Sequence, residues 1–134
     1  GIKEASGSIT YAARIARYVN DDFAMYSGND DMITSMLSLG ASGVISVLAN
    51  VVPKQTHAIV GSWHAKDVIA SREGQLHYLD LVQALFSEVN PIPVKKALNL
   101  MGMEVGPLRL PLTEMEEKNA KVLEEVMRTY GLLK

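Results

Sequence analysis

Cysteine is absent from the 134 residues, which excludes a disulfide scaffold, a Cys-ligated zinc site and a thiol nucleophile. Excess positive charge is absent too. Against 13 Lys and Arg stand 15 Asp and Glu, for a net charge of −2, so the chain lacks the basic footprint of a nucleic-acid binder. Long apolar runs are missing. The longest, from Gly43 to Val52, is interrupted by Ser46 and Asn50 and falls short of the roughly 18 residues of a membrane span. No signal peptide is legible, because Lys3 and Glu4 sit inside the short apolar segment that opens the chain. A cytoplasmic protein is the expectation. What is present is 48% hydrophobic and 21% charged residues, enough to bury a core and too apolar for a disordered tail.

The first half repeats a simple unit. Gly1 to Ala5 reads as a strand, and Ser8 or Thr10 can cap a helix with Ile9, Ala12, Ala13, Ala16 and Val19 at helical spacing. Phe23 to Tyr26 reads as a second strand. Asn29 or Asp30 can cap a helix with Met32, Ile33, Met36, Leu37 and Leu39 on its apolar side, ended by Gly40. Gly43 to Leu48, rich in β-branched residues, is the third strand. Strands alternating with helices at this spacing predict parallel βα units.

The second half predicts helices. Pro53 to Ser71 reads as one, with a break at Glu73-Gly74, and the next carries a stripe of Leu76, Leu79, Val82, Phe86 and Val89. Asn90-Pro91-Ile92-Pro93 reads as a stop, since each proline disfavours helix in the residue before it. Val94 to Met101 is a short helix ended by Gly102. Thr113 and Glu116 form a potential capping box for a last helix with Met115, Val122, Leu123, Val126, Met127 and Tyr130 facing the core.

Three parallel strands are too few to stand alone, because both faces need cover and both edges lie open. A (β/α)8 TIM barrel solves this by closure but takes about 250 residues. The expected fold is therefore α/β, the C-terminal part of such a barrel. Residues 1–71 would supply the last three strands with their helices, and residues 72–134 a C-terminal helical region. The chain opens without Met, two residues before Lys3, as though cut from something longer.

Lys3, at the end of a strand, stands where barrels project catalytic groups. A desolvated lysine there attacks a carbonyl to form a Schiff base, which near neutrality needs its pKa lowered by about 3 units, roughly 4 kcal/mol. The plainer alternative is a surface lysine. Gly28 in Ser27-Gly28-Asn29-Asp30 and Gly43 in Gly43-Val44-Ile45-Ser46 serve either as turn residues or as points where backbone approaches a ligand. A phosphate loop is a third reading that their low glycine density disfavours. His57 and His64 are seven residues apart, against the i, i+4 spacing of a helical metal pair, and the seven methionines read as packing. Asn90, set by two prolines, is either a displayed polar group or a helix corner.

Together these segments resemble the dihydrodipicolinate synthase family. Gly1-Ile2-Lys3-Glu4-Ala5-Ser6-Gly7, Ser27-Gly28-Asn29-Asp30, Gly43-Val44-Ile45-Ser46-Val47, Asn50-Val51, Asn90-Pro91-Ile92-Pro93-Val94-Lys95 and Leu108-Arg109-Leu110-Pro111-Leu112 occur in that family's order and spacing. The resemblance implies a class I aldolase-type lyase of lysine and diaminopimelate biosynthesis. Lys3 matches the lysine that forms an imine with pyruvate, whose enamine condenses with L-aspartate 4-semialdehyde to 4-hydroxy-tetrahydrodipicolinate. Ile45 matches the residue whose carbonyl lines the pyruvate site. Gly28 matches a loop glycine near the second substrate, and Asn90 a residue toward the active-site entrance. The imine is the electron sink, so no metal or organic cofactor is implied. A homotetramer is implied, as is the missing N-terminal part of the barrel as a partner. The family's tyrosine proton relay, its threonine pair for the pyruvate carboxylate, its entrance arginine and its feedback-inhibition residues all precede the position of Lys3. At Asn29 many relatives carry an acid. Related pyruvate lyases, N-acetylneuraminate lyase and 2-keto-3-deoxy sugar-acid aldolases, share the lysine and are the alternative. A further alternative is that the isolated chain is an inactive assembly module.

Overall fold

The computed structural model describes residues 1–133. Three strands, β1 (Ile2–Glu4), β2 (Met25–Ser27) and β3 (Gly43–Val44), form one parallel sheet in the order β1-β2-β3. Registers are Lys3 against Tyr26 and Glu4 against Ser27, then Tyr26 against Gly43 and Ser27 against Val44. Helices α1 (Ile9–Ala16) and α2 (Ile33–Ser38) make the two crossovers. This is the α/β architecture expected of a partial barrel, with β1 and β3 left as edges within this chain. Two compact units are present, Gly1–His77 and the segment from Tyr78 onward.

The first unit is held by two apolar clusters. Ala12, Met25, Met36 and Ala41 pack together between α1, α2 and the sheet, and Ile33, Leu37 and Ile59 join α2 to α3 (Pro53–His64). Ser8 caps α1 by accepting from Tyr11 N at 3.2 Å. At the end of α2, Gly40 takes φ 93°. Gly40 N donates to Leu37 O and Ala41 N to Met36 O, the paired closing bonds that favour glycine at this position.

The single helix expected over Pro53–Ser71 is two. After α3 the chain turns at Lys66, φ 70°, and α4 (Val68–His77) begins. Lys66 N donates to Trp63 O and Asp67 N to Ser62 O, the same closing bonds as at Gly40, with lysine in the glycine position. Asp67 then caps α4, its Oδ1 accepting from Ala70 N at 3.0 Å. Gly74, read from sequence as a break, lies inside α4. A Cβ there would meet Ile59 Cγ1 at 3.0 Å, so this glycine lets α4 approach α3. Leu76 belongs to α4 and is exposed, as is Ile69.

The second unit contains α5 (Leu79–Leu85), α6 (Ile92–Leu100) and α7 (Glu117–Thr129). Leu81, Leu85, Leu123 and Met127 are fully buried. Phe86, Val89 and Val122, expected in core stripes, are exposed. The prolines at 91 and 93, read as a stop for the preceding helix, instead open α6, since α5 already ends at Leu85 and α6 starts at Ile92. Proline is tolerated in a first turn, whose N–H groups have no intrahelical partner. The Thr113–Glu116 capping box does not form, because α7 begins one turn later with Glu116 as its cap. Glu88 takes the box's role from afar: its Oε1 accepts from Glu116 N at 3.0 Å and from Asn119 Nδ2 at 2.9 Å. Tyr78 and Tyr130 stack at 5.2 Å. Burial, and secondarily the charge of Asp80, raises the Tyr130 phenol above its ordinary value of 10.0.

Candidate functional site

Side chains alternate across a strand, so Lys3 points away from the face that carries Ile2 and Glu4. That second face is packed: Glu4 is 3% exposed and Ser27 fully buried. Lys3 itself is exposed and makes no hydrogen bond or ion pair among the described residues. In a parallel pair, residues in register share a face. Tyr26 and Gly43, in line with Lys3, therefore share its face, where Lys3 and Tyr26 are exposed and Gly43 is buried beside Val60 of α3.

Gly28 follows β2 immediately and stands beside Lys3. Its N–H donates to Glu4 O at 2.6 Å. A Cβ at this position would lie 2.5 Å from Ala5 Cβ, 2.9 Å from Lys3 Cε and 3.0 Å from Glu4 O. Its φ is not in the left-handed region. The turn reading of this glycine therefore fails, and close approach is its reason: the end of β1, with the stem of Lys3, occupies the space a side chain would need. Gly43 is not so confined, its nearest neighbours being at ordinary contact of 3.7 Å from Tyr26.

Ile45 comes one residue after β3. The strand expected to run to Leu48 stops at Val44 because the chain turns there. Ile45 N donates to Ser27 O at 2.8 Å, which fixes Ile45 to the same end of the sheet, and its side chain is 48% exposed. Among the described residues nothing donates to its carbonyl. Lys3, Gly28 and Ile45 thus sit at the C-terminal ends of three adjacent strands, where barrels carry their chemistry. An open apolar groove of about 260 Å³ lies alongside on β2 and β3, with Tyr26, Gly43, Thr56 and His57 in its lining.

Asn90 belongs to the second unit. It is exposed, joined to Pro91 by a cis peptide bond just before α6. His64 Nε2 is 3.1 Å from Ser42 O, and His57 lies in the groove.

Two residues at this end of the sheet were not singled out from sequence beyond a capping role. Asp30, 1% exposed, was a candidate helix cap. Its Oδ2 instead accepts from Val47 N at 2.9 Å and Leu48 N at 3.0 Å. Gln75 on α4 accepts from Thr34 N and Oγ1 at 2.6 and 2.9 Å, and donates to Asp31 O at 2.7 Å. Partners 17 to 44 residues apart leave no local pattern, which is why neither was visible.

A family model described as the dihydrodipicolinate synthetase family matches residues 1–129. The chain is 53% identical to a 4-hydroxy-tetrahydrodipicolinate synthase of Clostridium perfringens over 133 residues, covering 99% of this chain and 46% of that protein. It is 54% identical to one of Lachnoclostridium phytofermentans over 132 residues, covering 98% and 45%. Among solved structures it is similar to a dihydrodipicolinate synthase of Thermotoga maritima, with a TM-score of 0.94 at 43% identity over 99% of this chain and 46% of that one. It is also similar to one of Acinetobacter baumannii complexed with pyruvate, with a TM-score of 0.92 at 35% identity over 99% and 46%. The chain thus spans about half the length of the curated relatives it matches.

Proposed function

The chain belongs to the dihydrodipicolinate synthetase family, and from that premise we propose that it is the part of a pyruvate-condensing lyase that carries the imine-forming lysine. The observation that carries this reading is the free amine of Lys3 at a strand's C-terminal end, with Gly28 and Ile45 at the ends of the two strands beside it.

The Lys3 amine adds to the C2 carbonyl of pyruvate, and uptake of one proton with loss of water gives a protonated imine. The imine draws electrons from the C3 methyl, which gives up a proton and becomes the nucleophilic carbon of an enamine. That carbon bonds to the aldehyde carbon of L-aspartate 4-semialdehyde, and the aldehyde oxygen takes a proton. The amino group of the new chain then displaces Lys3 from the imine carbon, closing the ring of 4-hydroxy-tetrahydrodipicolinate and regenerating the free amine. The protonated imine is the electron sink throughout, so this chemistry calls for no metal or organic cofactor. The Ile45 carbonyl is proposed to face the pyruvate-derived imine. Gly28, whose missing side chain makes room for the end of β1 and the Lys3 stem, is proposed to lie near the second substrate on the strength of the resemblance. For Asn90 the support is the resemblance alone.

The same reading assigns the remaining strands, and with them proton transfer and carboxylate binding, to a segment N-terminal to this chain. It places the enzyme in the cytoplasm as a homotetramer. N-acetylneuraminate lyase and sugar-acid aldolase activities would use the same imine with a different aldehyde.

The test is borohydride reduction of the protein comprising this chain in the presence of pyruvate, followed by peptide mapping. The expected adduct is on Lys3, with turnover of L-aspartate 4-semialdehyde exceeding that of N-acetylmannosamine or glyceraldehyde. An active enzyme with Lys3 unmodified removes the assignment.

A further inference from the structure

Asp30 has no part in the mechanism above, yet it is the most buried acid beside the site, at 1% exposure. A buried carboxylate is costly unless its oxygens are hydrogen-bonded. Oδ2 is satisfied by Val47 N and Leu48 N, while Oδ1 is buried without a partner among the described residues.

The two amides that Asp30 holds lie just past the peptide that carries the Ile45 carbonyl. Just before that peptide, Ile45 N is fixed to Ser27 O at 2.8 Å. The carbonyl is therefore suspended between two anchors, one on β2 and one on Asp30. Ser46 Oγ accepts from Ala49 N at 2.8 Å, and Asn50 Nδ2 donates to Val47 O at 3.0 Å. Those bonds shape the turn internally without tying it to its neighbours. Asp30 is itself braced: Gln75 grips the adjoining Asp31 carbonyl and the Thr34 amide from α4.

We propose that Asp30 is a positioning residue that aims the Ile45 carbonyl at the imine formed on Lys3. This rests on the reading that Lys3 forms that imine and that the Ile45 carbonyl faces it. Asp30 touches no substrate and acts through the turn at residues 45–48. The competing account is a buried cap that only stabilises the turn.

The experiment is steady-state kinetics of Asp30→Asn and Asp30→Ala in the full-length protein comprising this chain, with borohydride trapping alongside. Loss of two charge-assisted bonds in Asp30→Ala is expected to raise the pyruvate KM about tenfold. Asp30→Asn, which keeps one acceptor oxygen, shifts it less in the same direction. The aldehyde KM stays within about twofold, and saturating pyruvate still labels Lys3. A pyruvate KM unchanged in both variants, with only the thermal unfolding temperature lowered, overturns the positioning role and leaves a cap. Should Asp30→Ala fail to fold, Asp30→Asn alone carries the same two outcomes. Failure to trap pyruvate on Lys3 in the unmutated protein overturns the imine reading and this proposal together. Normal trapping there with unchanged variant kinetics overturns the proposal alone.

Discussion

At Gly28 the steric argument makes a sharp demand on one residue. The Cβ of alanine would overlap Ala5 Cβ at 2.5 Å and Lys3 Cε at 2.9 Å. The lysine stem can swing aside, but a β-carbon and the Glu4 carbonyl at 3.0 Å cannot move without shifting β1. Gly28→Ala is therefore expected to destabilise the fold by about 1–3 kcal/mol and to displace the Lys3 amine, measurable as a slower rate of pyruvate trapping. Replacing Ala5 with glycine in the same protein removes the closest overlap and should recover part of that rate. If trapping stays slow in the double variant while stability returns, the crowding account of Gly28 is wrong. The strand-end placement of Lys3 and Gly28 was legible from the order of short apolar segments and turn residues; that of Ile45 was not, because its strand was expected to run on to Leu48 and ends at Val44. The reason for Gly28 was not: a glycine after a strand looks the same whether it turns the chain or makes room for a neighbour. Asp30 was hidden for a related reason, since a carboxylate three residues after a strand reads as a helix cap until its through-space partners are seen.

At the scale of elements, legibility followed the locality of the signal. The stops at Gly40 and Gly102 were readable because glycine at positive φ, 93° and 80°, is the common way to close a helix. The division of α3 from α4 uses the same bonds with Lys66 in the glycine position, so composition gave no mark of it, and Gly74 drew the break to the wrong place. The end of β3 was equally obscured. Its β-branched run favours a strand, and the bonds from Asp30 and Ser46 turn it out of the sheet. Helix α4 has a consequence of its own for the site. Gln75 is 8% exposed and satisfies three groups of the segment that follows β2. Gln75→Ala leaves the Thr34 amide and the Asp31 carbonyl without that partner, a loss of about 1–3 kcal/mol for buried groups. Amide exchange at Thr34 should accelerate about tenfold or more, with the α7 amides of the second unit unchanged. Equal acceleration in both units would mean global destabilisation and would refute the local brace.

For the whole molecule, the decisive feature is a three-stranded parallel sheet in which β1 and β3 pair only with β2, their outer edges unpaired among the described residues. Parallel sheets are stable when both faces and both edges are covered, and Lys3, Tyr26 and Ile45 lie on or beside one face with substantial exposure. The solved relatives supply over half of their length from outside the region this chain matches. The proposed lyase therefore needs a second segment to close the sheet, and on the proposed reading that segment also handles substrate carboxylate and protons. Complementation tests this directly. The chain is produced alone and together with the N-terminal part of the Clostridium perfringens relative, at 53% identity in the shared region. Alone, it is expected to give no pyruvate-dependent condensation. With the added part, it should bind that part in a stoichiometric complex and gain condensation activity that Lys3→Ala abolishes. Lys3→Arg should also fail, because a guanidinium stays protonated and cannot form the imine. Condensation by the isolated chain would show that three strands suffice. Formation of the complex without Lys3-dependent activity would separate the two halves of the argument, keeping the closed barrel and discarding the assignment of its nucleophile.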